Sequence, residues 1–418
     1  MIKPVISFAL ASLLLTGTAS AQPIDPRVQA RIDRILRSTP LIDGHNDLPW
    51  ELREKHGNRV EDLASGGATR EKPVMTDMAR LRAGRVGGQF WSVYITGTIV
   101  GDEAIRTTLE QIDVARRLVA AYPRDLELAS TADDVMRIHR AGRIASLLGM
   151  EGGRGINGSM AALRQFYDLG VRYMTLTHNQ TTEWADSASD EPRHGGIAPF
   201  GAQVIGEMNR LGMLVDLSHV SSDAMRDALQ MSRAPIIFSH SNAYALNPHP
   251  RNVPDDVLRM LPANGGVVMV NFYPTFLSAE VANWSRLRAG EEGRLKAVYP
   301  FSAAQVTANL TAWEKANPRP AVPASVVADH IEHIARTAGH DHVGIGGDLD
   351  GVPYTAVGLE SVANYPVLFA ELIRRGWTDA NLAKLAGGNV LRAMRRAEAV
   401  AASMQSEAPS LARLEPAK

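Results

Sequence analysis

The sequence predicts an α/β protein built as a (β/α)₈ barrel, also called a TIM barrel. Eight short apolar segments, rich in Val, Ile, Leu and Met, are bounded by glycine or polar residues, as is typical of strands buried on both faces. Helix-like segments separate most of them, so strand and helix alternate along the chain. A doubly wound open sheet also alternates in this way, but neither a G-x-G-x-x-G turn after the first strand nor a P-loop is present.

The predicted strands leave room for a helix in most intervals. They are residues 41–44, 89–95, 144–150, 172–177, 213–217, 235–239, 266–272 and 342–346. Helices are expected, for example, at residues 160–169, 202–211, 222–231 and 326–338. Two segments exceed what a minimal barrel needs, and we predict insertions at residues 48–87, after strand 1, and 273–325, after strand 7. The second insertion carries Trp284 and Trp313 and is expected to cover the barrel mouth or contact a partner subunit.

The two ends of the chain predict an exported protein. Residues 1–21 have the plan of a cleavable signal peptide, in which Lys3 precedes an apolar run and small residues lead to cleavage after Ala21. We therefore expect a periplasmic or secreted protein with one barrel domain at residues 22–400 and a polar tail at residues 401–418. The tail has no hydrophobic segment of the kind that signals a lipid anchor, so no membrane anchor is expected.

Composition restricts the chemistry. Lys and Arg number 44 against 45 Asp and Glu, so the net charge of -1 offers no basic excess for nucleic acid. Small neutral or zwitterionic substrates fit this balance better. The chain has no cysteine, so any metal must be held by His, Asp or Glu side chains, and a cysteine nucleophile is excluded.

Candidate functional residues stand where predicted strands end. Six of the eight strands end in, or run directly into, a side chain that can bind a metal or transfer a proton. These side chains are His45, Asp47, Glu151, His178, His219, His240 and Asp348. In a parallel barrel the carboxyl ends of the strands meet on one face, which carries the active site in this fold. Each residue alone is also compatible with a turn or a structural role, and their shared position is what indicates a site.

The residue types and their spacing predict two zinc ions. His45 and Asp47 lie two residues apart on an extended segment, so both side chains can reach one ion. Glu151 has two carboxylate oxygens and can bridge this ion to a second one, held by His219 and His240. Water between two such ions, typically about 3.5–4 Å apart, becomes a nucleophile at neutral pH.

Other histidines and carboxylates have further predicted roles. Asp348 is expected to accept a proton from the attacking water and pass it to the departing amine, with Asp350 as a rival. His178 is expected to bind substrate or stabilise the oxyanion. His330 and His333 lie three residues apart on a predicted helix and offer a minor surface metal site, although a solvated helix face is the preferred interpretation.

Taken together, these motifs resemble those of the membrane (renal) dipeptidase family from about residue 30 to residue 395. The matching segments are D-G-H-N-D-L-P at 43–49, E-G-G at 151–153, T-H-N at 177–179, H-S-N at 240–242, R-N-V-P-D at 251–255 and G-G-D at 346–348, together with His219. The resemblance implies an amidohydrolase-like barrel, two zinc ions bridged by Glu151, and hydrolysis of dipeptides to free amino acids.

The resemblance also implies individual roles. His45, Asp47, His219 and His240 match the family's metal ligands, His178 the histidine at the scissile carbonyl, and Asp348 the acid/base residue. Arg251 matches the arginine that binds the substrate's terminal carboxylate, a task suited to a planar bidentate donor. Animal members carry disulfides and a lipid anchor that this cysteine-free chain lacks, and a possible homodimer rests on analogy.

Other classes of protein agree less well with the sequence. The main alternative is a glutamate-bridged dizinc amidohydrolase that acts on another small amide or lactam. A lysine-bridged metal site is disfavoured because no lysine lies between Lys72 and Lys296. A serine hydrolase is disfavoured because no G-x-S-x-G motif is present. A non-catalytic solute-binding protein would not need ligand-type residues at six strand ends.

Overall fold

The computed structural model describes residues 24–414, which include all eight predicted strands. The predicted signal peptide, at residues 1–21, lies outside the described residues, as do the last four residues of the predicted tail.

Nine parallel strands form the sheet in the described part of the chain. They are β1 Leu41–Asn46, β2 Val86–Tyr94, β3 Leu126–Leu128, β4 Ile144–Glu151, β5 Val171–Thr175, β6 Leu214–Asp216, β7 Ile237–Phe238, β8 Val267–Val270 and β9 Val343–Ile345. All except β3 close into a ring in chain order, in which β2 pairs directly with β4 and β9 pairs with β1. The prediction of a (β/α)₈ barrel is therefore confirmed.

Strand β3 is the strand of the described sheet that the sequence analysis does not predict. It pairs with the first residues of β4 and lies outside the closed ring. Its three residues, Leu-Glu-Leu, are too few to show a hydrophobic period.

Helices surround the barrel. They are α1 Pro26–Ser38, α2 Leu48–His56, α3 Met78–Ala83, α4 Asp102–Ala121, α5 Ala132–Arg140, α6 Met160–Asp168, α7 Pro199–Leu211, α8 Ser222–Met231, α9 Asp255–Leu258, α10 Leu261–Asn264, α11 Pro274–Leu277, α12 Ala279–Val298, α13 Ala303–Ala316, α14 Ala324–Ala338, α15 Tyr365–Arg374, α16 Asp379–Ala383 and α17 Asn389–Ser403. The last helix ends three residues beyond the predicted end of the barrel domain. None of the helices in residues 24–414 combines the length and the hydrophobicity needed to cross a bilayer.

Both predicted insertions are present and lie at the carboxyl ends of their strands. The first contains α2 and α3, and the second contains α11, α12 and α13. A third long connection, residues 176–198 after β5, has no regular helix or strand. Asp186 organises it by accepting hydrogen bonds from the backbone N–H groups of Arg193, His194 and Gly196 at 2.8, 3.1 and 2.9 Å.

A buried apolar cluster fills the barrel beneath the polar face. It includes Ile42, Phe90, Leu147, Tyr173 and Met269, from five different strands. These side chains are fully excluded from solvent. Since the cluster packs the barrel interior, a rigid apolar layer supports the polar side chains at the carboxyl ends of the strands.

Candidate active site

The predicted site residues converge at the carboxyl ends of the strands. One cavity of about 390 Å³ is lined by Asp47, Glu151, His178, His219, His240, Arg251 and Asp348. His45 does not line the cavity and is fully buried. The structure therefore brings together all eight residues that were singled out from the sequence and the family resemblance.

Glu151, at the end of β4, faces candidate ligands on both sides. Its Oε2 atom lies 3.4 Å from Nε2 of His45. Its Oε1 atom lies 3.0 Å from Nε2 of His219 and 3.4 Å from Nε2 of His240. One buried carboxylate thus separates two groups of ligand atoms, as a bridge between two ions would require.

His45 and Asp47 form the group on the Oε2 side. Nε2 of His45 lies 3.2 Å from Oδ2 of Asp47, because β1 ends at Asn46 and Asp47 begins the turn into α2. The Tyr173 hydroxyl lies 2.8 Å from Nδ1 of His45 and donates to the Gly44 carbonyl oxygen at 3.1 Å. Since that hydroxyl donates to Gly44, Nδ1 carries a hydrogen and Nε2 is the ring atom left to bind a metal.

His219 and His240 form the group on the Oε1 side, and their Nε2 atoms lie 2.9 Å apart. The Ser239 hydroxyl lies 2.9 Å from Nδ1 of His240 and donates to Oδ2 of Asp216 at 2.6 Å. The hydroxyl therefore accepts from Nδ1 of His240, which leaves Nε2 of that ring free to bind a metal.

Asp216 joins the ends of three strands. Besides Ser239, its carboxylate accepts hydrogen bonds from the Thr175 hydroxyl at 2.5 Å and from the backbone N–H of Ser218 at 3.1 Å. Burial raises the pKa of Asp216, and these hydrogen bonds oppose the rise. The carboxylate thus fixes the orientation of the Ser239 hydroxyl and, through it, of His240.

Burial and neighbouring charges set the protonation of the candidate ligand histidines. It holds the pKa of His219 and of His240 well below the usual value, so both rings are neutral, the form that binds metals. For His45, burial would lower the pKa, but Tyr173, Asp47 and Glu151 outweigh it and raise the pKa well above the usual value. A metal cation between these carboxylates would replace the proton on His45.

Asp348 follows β9 and enters the cavity with a left-handed backbone, at a φ of 61°. Nδ2 of Asn271 donates to its Oδ2 at 2.8 Å. Its Oδ1 lies near Oδ2 of Asp47, and a Cβ at Gly351 would collide with Oδ2 of Asp47 and crowd Oδ1 of Asp348. Burial, with the charges of Asp47 and Glu151, raises the pKa of Asp348 to about 8.

The rival carboxylate, Asp350, faces the first insertion and does not line the cavity. Its Oδ1 accepts from the backbone N–H of Met75 at 2.5 Å. Of the two candidates, the structure brings Asp348 to the ligand groups.

Arg251 is a buried cation with free donors. Its Nη2 lies 3.4 Å from the His240 carbonyl oxygen, while Nε and Nη1 are buried without a hydrogen-bond partner among residues 24–414. Burial lowers the pKa of Arg251 to about 10, so the guanidinium keeps its charge at neutral pH. Because unpaired buried charge is costly, this arrangement favours a substrate anion as the missing partner.

His178 lies on the cavity wall between two other rings. Its ring centroid is 4.6 Å from that of Tyr94 and 4.3 Å from that of His219, and Trp50 packs edge-on against Tyr94 at 4.8 Å. Nε2 of His178 is 3.8 Å from Oε1 of Glu151. Burial lowers the pKa of His178, so the neutral ring can contact a substrate carbonyl.

The donor set fits metal ions. Nε2 of His45 and Oδ1 of Asp47 are buried without a hydrogen-bond partner among the described residues. Three groups of possible ligands each have their donor atoms within 4.8 Å of one another. These groups are His45, Glu151 and His240; Glu151, His178 and His219; and His45, Asp47 and Asp348. Imidazole and carboxylate ligands without thiolates are compatible with zinc.

Sequence reasoning missed the residues that orient the candidate site residues, namely Tyr173 behind His45, Asp216 behind His240 and Asn271 beside Asp348. Asp216 is the last residue of β6, after Leu214 and Val215, and Tyr173 lies within β5. A polar side chain within a buried strand was the available signal, since such a group needs a partner.

His330 and His333 were expected on a solvated helix face, and this is wrong for His330. The residue is fully buried, with Nδ1 accepting from the Ala243 backbone N–H and Nε2 close to the Leu277 carbonyl oxygen, both at 3.1 Å. His333 pairs separately with Asp255 at 2.7 Å. Helix α14 packs this face against the protein, so the two rings have different partners and form no shared metal site.

Known proteins share the family and the fold of this chain. The family model described as membrane dipeptidase (peptidase family M19) matches residues 29–408. The fold is shared with the probable dipeptidase PvdM from Pseudomonas aeruginosa, which is 23% identical at a TM-score of 0.74, with 90% of this chain and 100% of that chain covered. It is also shared with a metallopeptidase from Rhodobacter sphaeroides liganded with a phosphinate mimic of L-Ala-D-Ala, at 23% identity, a TM-score of 0.71, and coverage of 86% and 99%.

The barrel and the cluster of ligand-type residues at its carboxyl face define a metal-dependent hydrolase. The family match covers nearly the whole described chain, and the chain belongs to the membrane dipeptidase family, peptidase family M19. It is therefore a metallopeptidase of the dipeptidase class, as the resemblance had implied.

Proposed function

We propose that this chain is a two-zinc dipeptidase that hydrolyses dipeptides to free amino acids. The observation that carries the proposal is the position of Glu151, whose two oxygens face separate groups of ligand atoms. His45, Asp47 and Oε2 of Glu151 would hold one ion, while Oε1 of Glu151, His219 and His240 would hold the other. When bound, two such ions supply a nucleophilic water at neutral pH and polarise the scissile carbonyl.

Arg251 would select substrates that end in a free carboxylate. Its Nε and Nη1 have no other partner in residues 24–414, so the guanidinium has free N–H groups to donate to that carboxylate. A tripeptide would carry an amide at this position and would leave the buried cation unpaired, so longer peptides should bind poorly. The dipeptide mimic in the Rhodobacter sphaeroides relative supports the same substrate class.

Asp348 would transfer the proton from the attacking water to the leaving amine. Asn271 occupies Oδ2, and bound cations would lower the raised pKa of Asp348, so Oδ1 would be free to accept a proton from the attacking water and to return it to the leaving amine nitrogen. His178, neutral and on the cavity wall, would contact the scissile carbonyl oxygen and stabilise the charge that develops there.

We also propose export, with removal of residues 1–21. The charged, apolar and small-residue regions of that segment support this proposal. Sequencing the amino terminus of protein recovered from the periplasm and from the medium should give Gln22 as the first residue; a chain that stays inside the cell with Met1 in place would contradict it.

The test of function is hydrolysis of L-L and L-D dipeptides with matched tripeptides. Rates are measured on purified protein, after removal of metal by chelation, and after return of zinc or, as a control, magnesium. Cleavage of dipeptides alone, lost on chelation and restored by zinc, is the expected result. Zinc-loaded protein that leaves every dipeptide intact would contradict the proposal and direct the search to other small amides or lactams.

A further inference from the structure

A second cavity adjoins the catalytic one at the barrel mouth. It has a volume of about 540 Å³ and lies between the second insertion and the loop after β9. Tyr273 and Pro353 line both cavities, so these two side chains form the partition between them. A group bound in the catalytic cavity therefore needs to pass only this partition to reach the second one.

A row of aromatic rings connects the two cavities. From the catalytic side, Arg251 lies 5.2 Å from the Phe276 ring centroid, which is 5.1 Å from that of Tyr273. Tyr273 is in turn 5.3 Å from Tyr354, and the guanidinium of Arg319 lies 3.3 Å from the Tyr354 ring centroid. The row thus has a buried arginine at its inner end and an exposed arginine at its outer end.

Arg319 supplies the uncompensated charge of the second cavity. The other arginine there, Arg288, is bound to Glu314 at 2.6 Å and to Glu292 at 3.2 Å. For Arg319, no carboxylate in residues 24–414 lies within 4.0 Å, and its contact in the cavity wall is the face of Tyr354. Stacking on that ring orders the guanidinium, while the N–H donors at the edge of the guanidinium plane stay free.

We propose that this second cavity is an accessory subsite for a carboxylate on a side chain of the dipeptide, with Arg319 as its cation. The inference rests on the proposed dipeptidase function and adds a preference for acidic dipeptides. Arg251 takes the main-chain carboxylate, and Arg319 takes the second negative charge. Because Arg319 is exposed, the preference is modest and declines with salt.

The test compares acidic dipeptides with amides of matched size. Rates are measured on the zinc-loaded protein for Glu-Ala against Gln-Ala and for Ala-Glu against Ala-Gln, with L- and D-residues at the second position. Wild type is expected to favour the acid at one of the two positions, and R319Q to reduce the acid-to-amide ratio of kcat/KM by about 3- to 10-fold. Raising NaCl to 0.5 M should reduce the wild-type ratio in the same direction.

Three further variants test whether the effect belongs to this subsite. R294Q removes an exposed arginine of the same insertion outside the cavity and should leave the ratio unchanged. Y354F keeps the stacking ring and should retain the preference, whereas Y354L should lose it. An equal acid-to-amide ratio in wild type and R319Q would overturn the subsite while Ala-Ala hydrolysis still supports a dipeptidase; failure to cleave any dipeptide would overturn both.

Discussion

Nε2 of His219 lies 2.9 Å from Nε2 of His240, and both atoms face Oε1 of Glu151. Burial keeps the pKa of both rings well below the usual value, so neither carries a positive charge that would repel the other. Two neutral imidazoles this close to a carboxylate are stabilised when a cation lies among the three groups.

The first prediction concerns the bridging carboxylate. Glu151→Gln keeps the shape of the side chain but removes the charge shared by the two ligand groups, so bound zinc should fall from two per chain to one or fewer. Metal analysis after gel filtration checks this, and circular dichroism controls for folding. A variant that still retains two zinc ions would show that Glu151 is not the bridge.

The second prediction separates the two rival carboxylates. Asp348→Asn should lower kcat by about 10²- to 10⁴-fold, as expected for loss of a general acid/base, without loss of bound zinc. Asp350→Asn is the matched control, because an amide oxygen can still accept from the Met75 backbone N–H. It should leave kcat close to that of the wild type. The opposite pattern would transfer the role to Asp350.

The third prediction concerns Arg251. Arg251→Lys keeps the charge but loses the bidentate fork, so KM for dipeptides should rise about 10- to 100-fold with a smaller change in kcat. Dipeptide amides, which lack the terminal carboxylate, serve as the comparison. Wild type should strongly prefer the acid over the amide, and the variant should not. If both enzymes discriminate equally, Arg251 does not bind that carboxylate.

The fourth prediction concerns the hydrogen bonds behind His240. In Asp216→Asn the new amide donates to Ser239, whose hydroxyl can then donate to Nδ1 of His240 and place the ring hydrogen on Nε2. Zinc affinity at one site should fall about 10- to 100-fold. Competition with a chelating dye measures this without any substrate. Unchanged affinity in both Asp216→Asn and Ser239→Ala would mean that the contact does not orient the ligand.

The fifth prediction is a pH dependence of stability from His330. Burial lowers the pKa of His330 to about 4. The neighbouring His333 also lowers this pKa, whereas Asp329 raises it. The folded state therefore binds the proton less well than the unfolded state, whose pKa is about 6.5. Stability is fully present above pH 6.5 and declines as the pH falls toward 4, by about 2 to 3 kcal/mol at pH 4.5.

The measurement is urea unfolding of metal-free protein at pH 7 and at pH 4.5. His330→Gln can reproduce both hydrogen bonds without a titrating group, so it should lose about 2 to 3 kcal/mol less stability than the wild type between the two pH values. Equal losses in the two proteins would assign the acid sensitivity to other groups.

Much of the site could be predicted because its ligands follow buried strands. His45, Glu151, His219 and His240 stand at ends of apolar segments, and a parallel barrel brings those ends to one face. Strand β3 could not be found in this way, since three residues show no period. The burial of His330 was also missed, because the neighbours that cover a helix face come from distant segments.

The sequence by itself determined the barrel, the class of chemistry and the residues able to bind metal, because strand periodicity and residue type are local properties. Tertiary structure decided which atoms meet. It placed Asp348 in the cavity and turned Asp350 toward Met75, although both follow β9 two residues apart. It also put Tyr173 behind His45 and Asp216 behind His240 through Ser239. These contacts depend on distances between strands far apart in the chain, which no local pattern encodes.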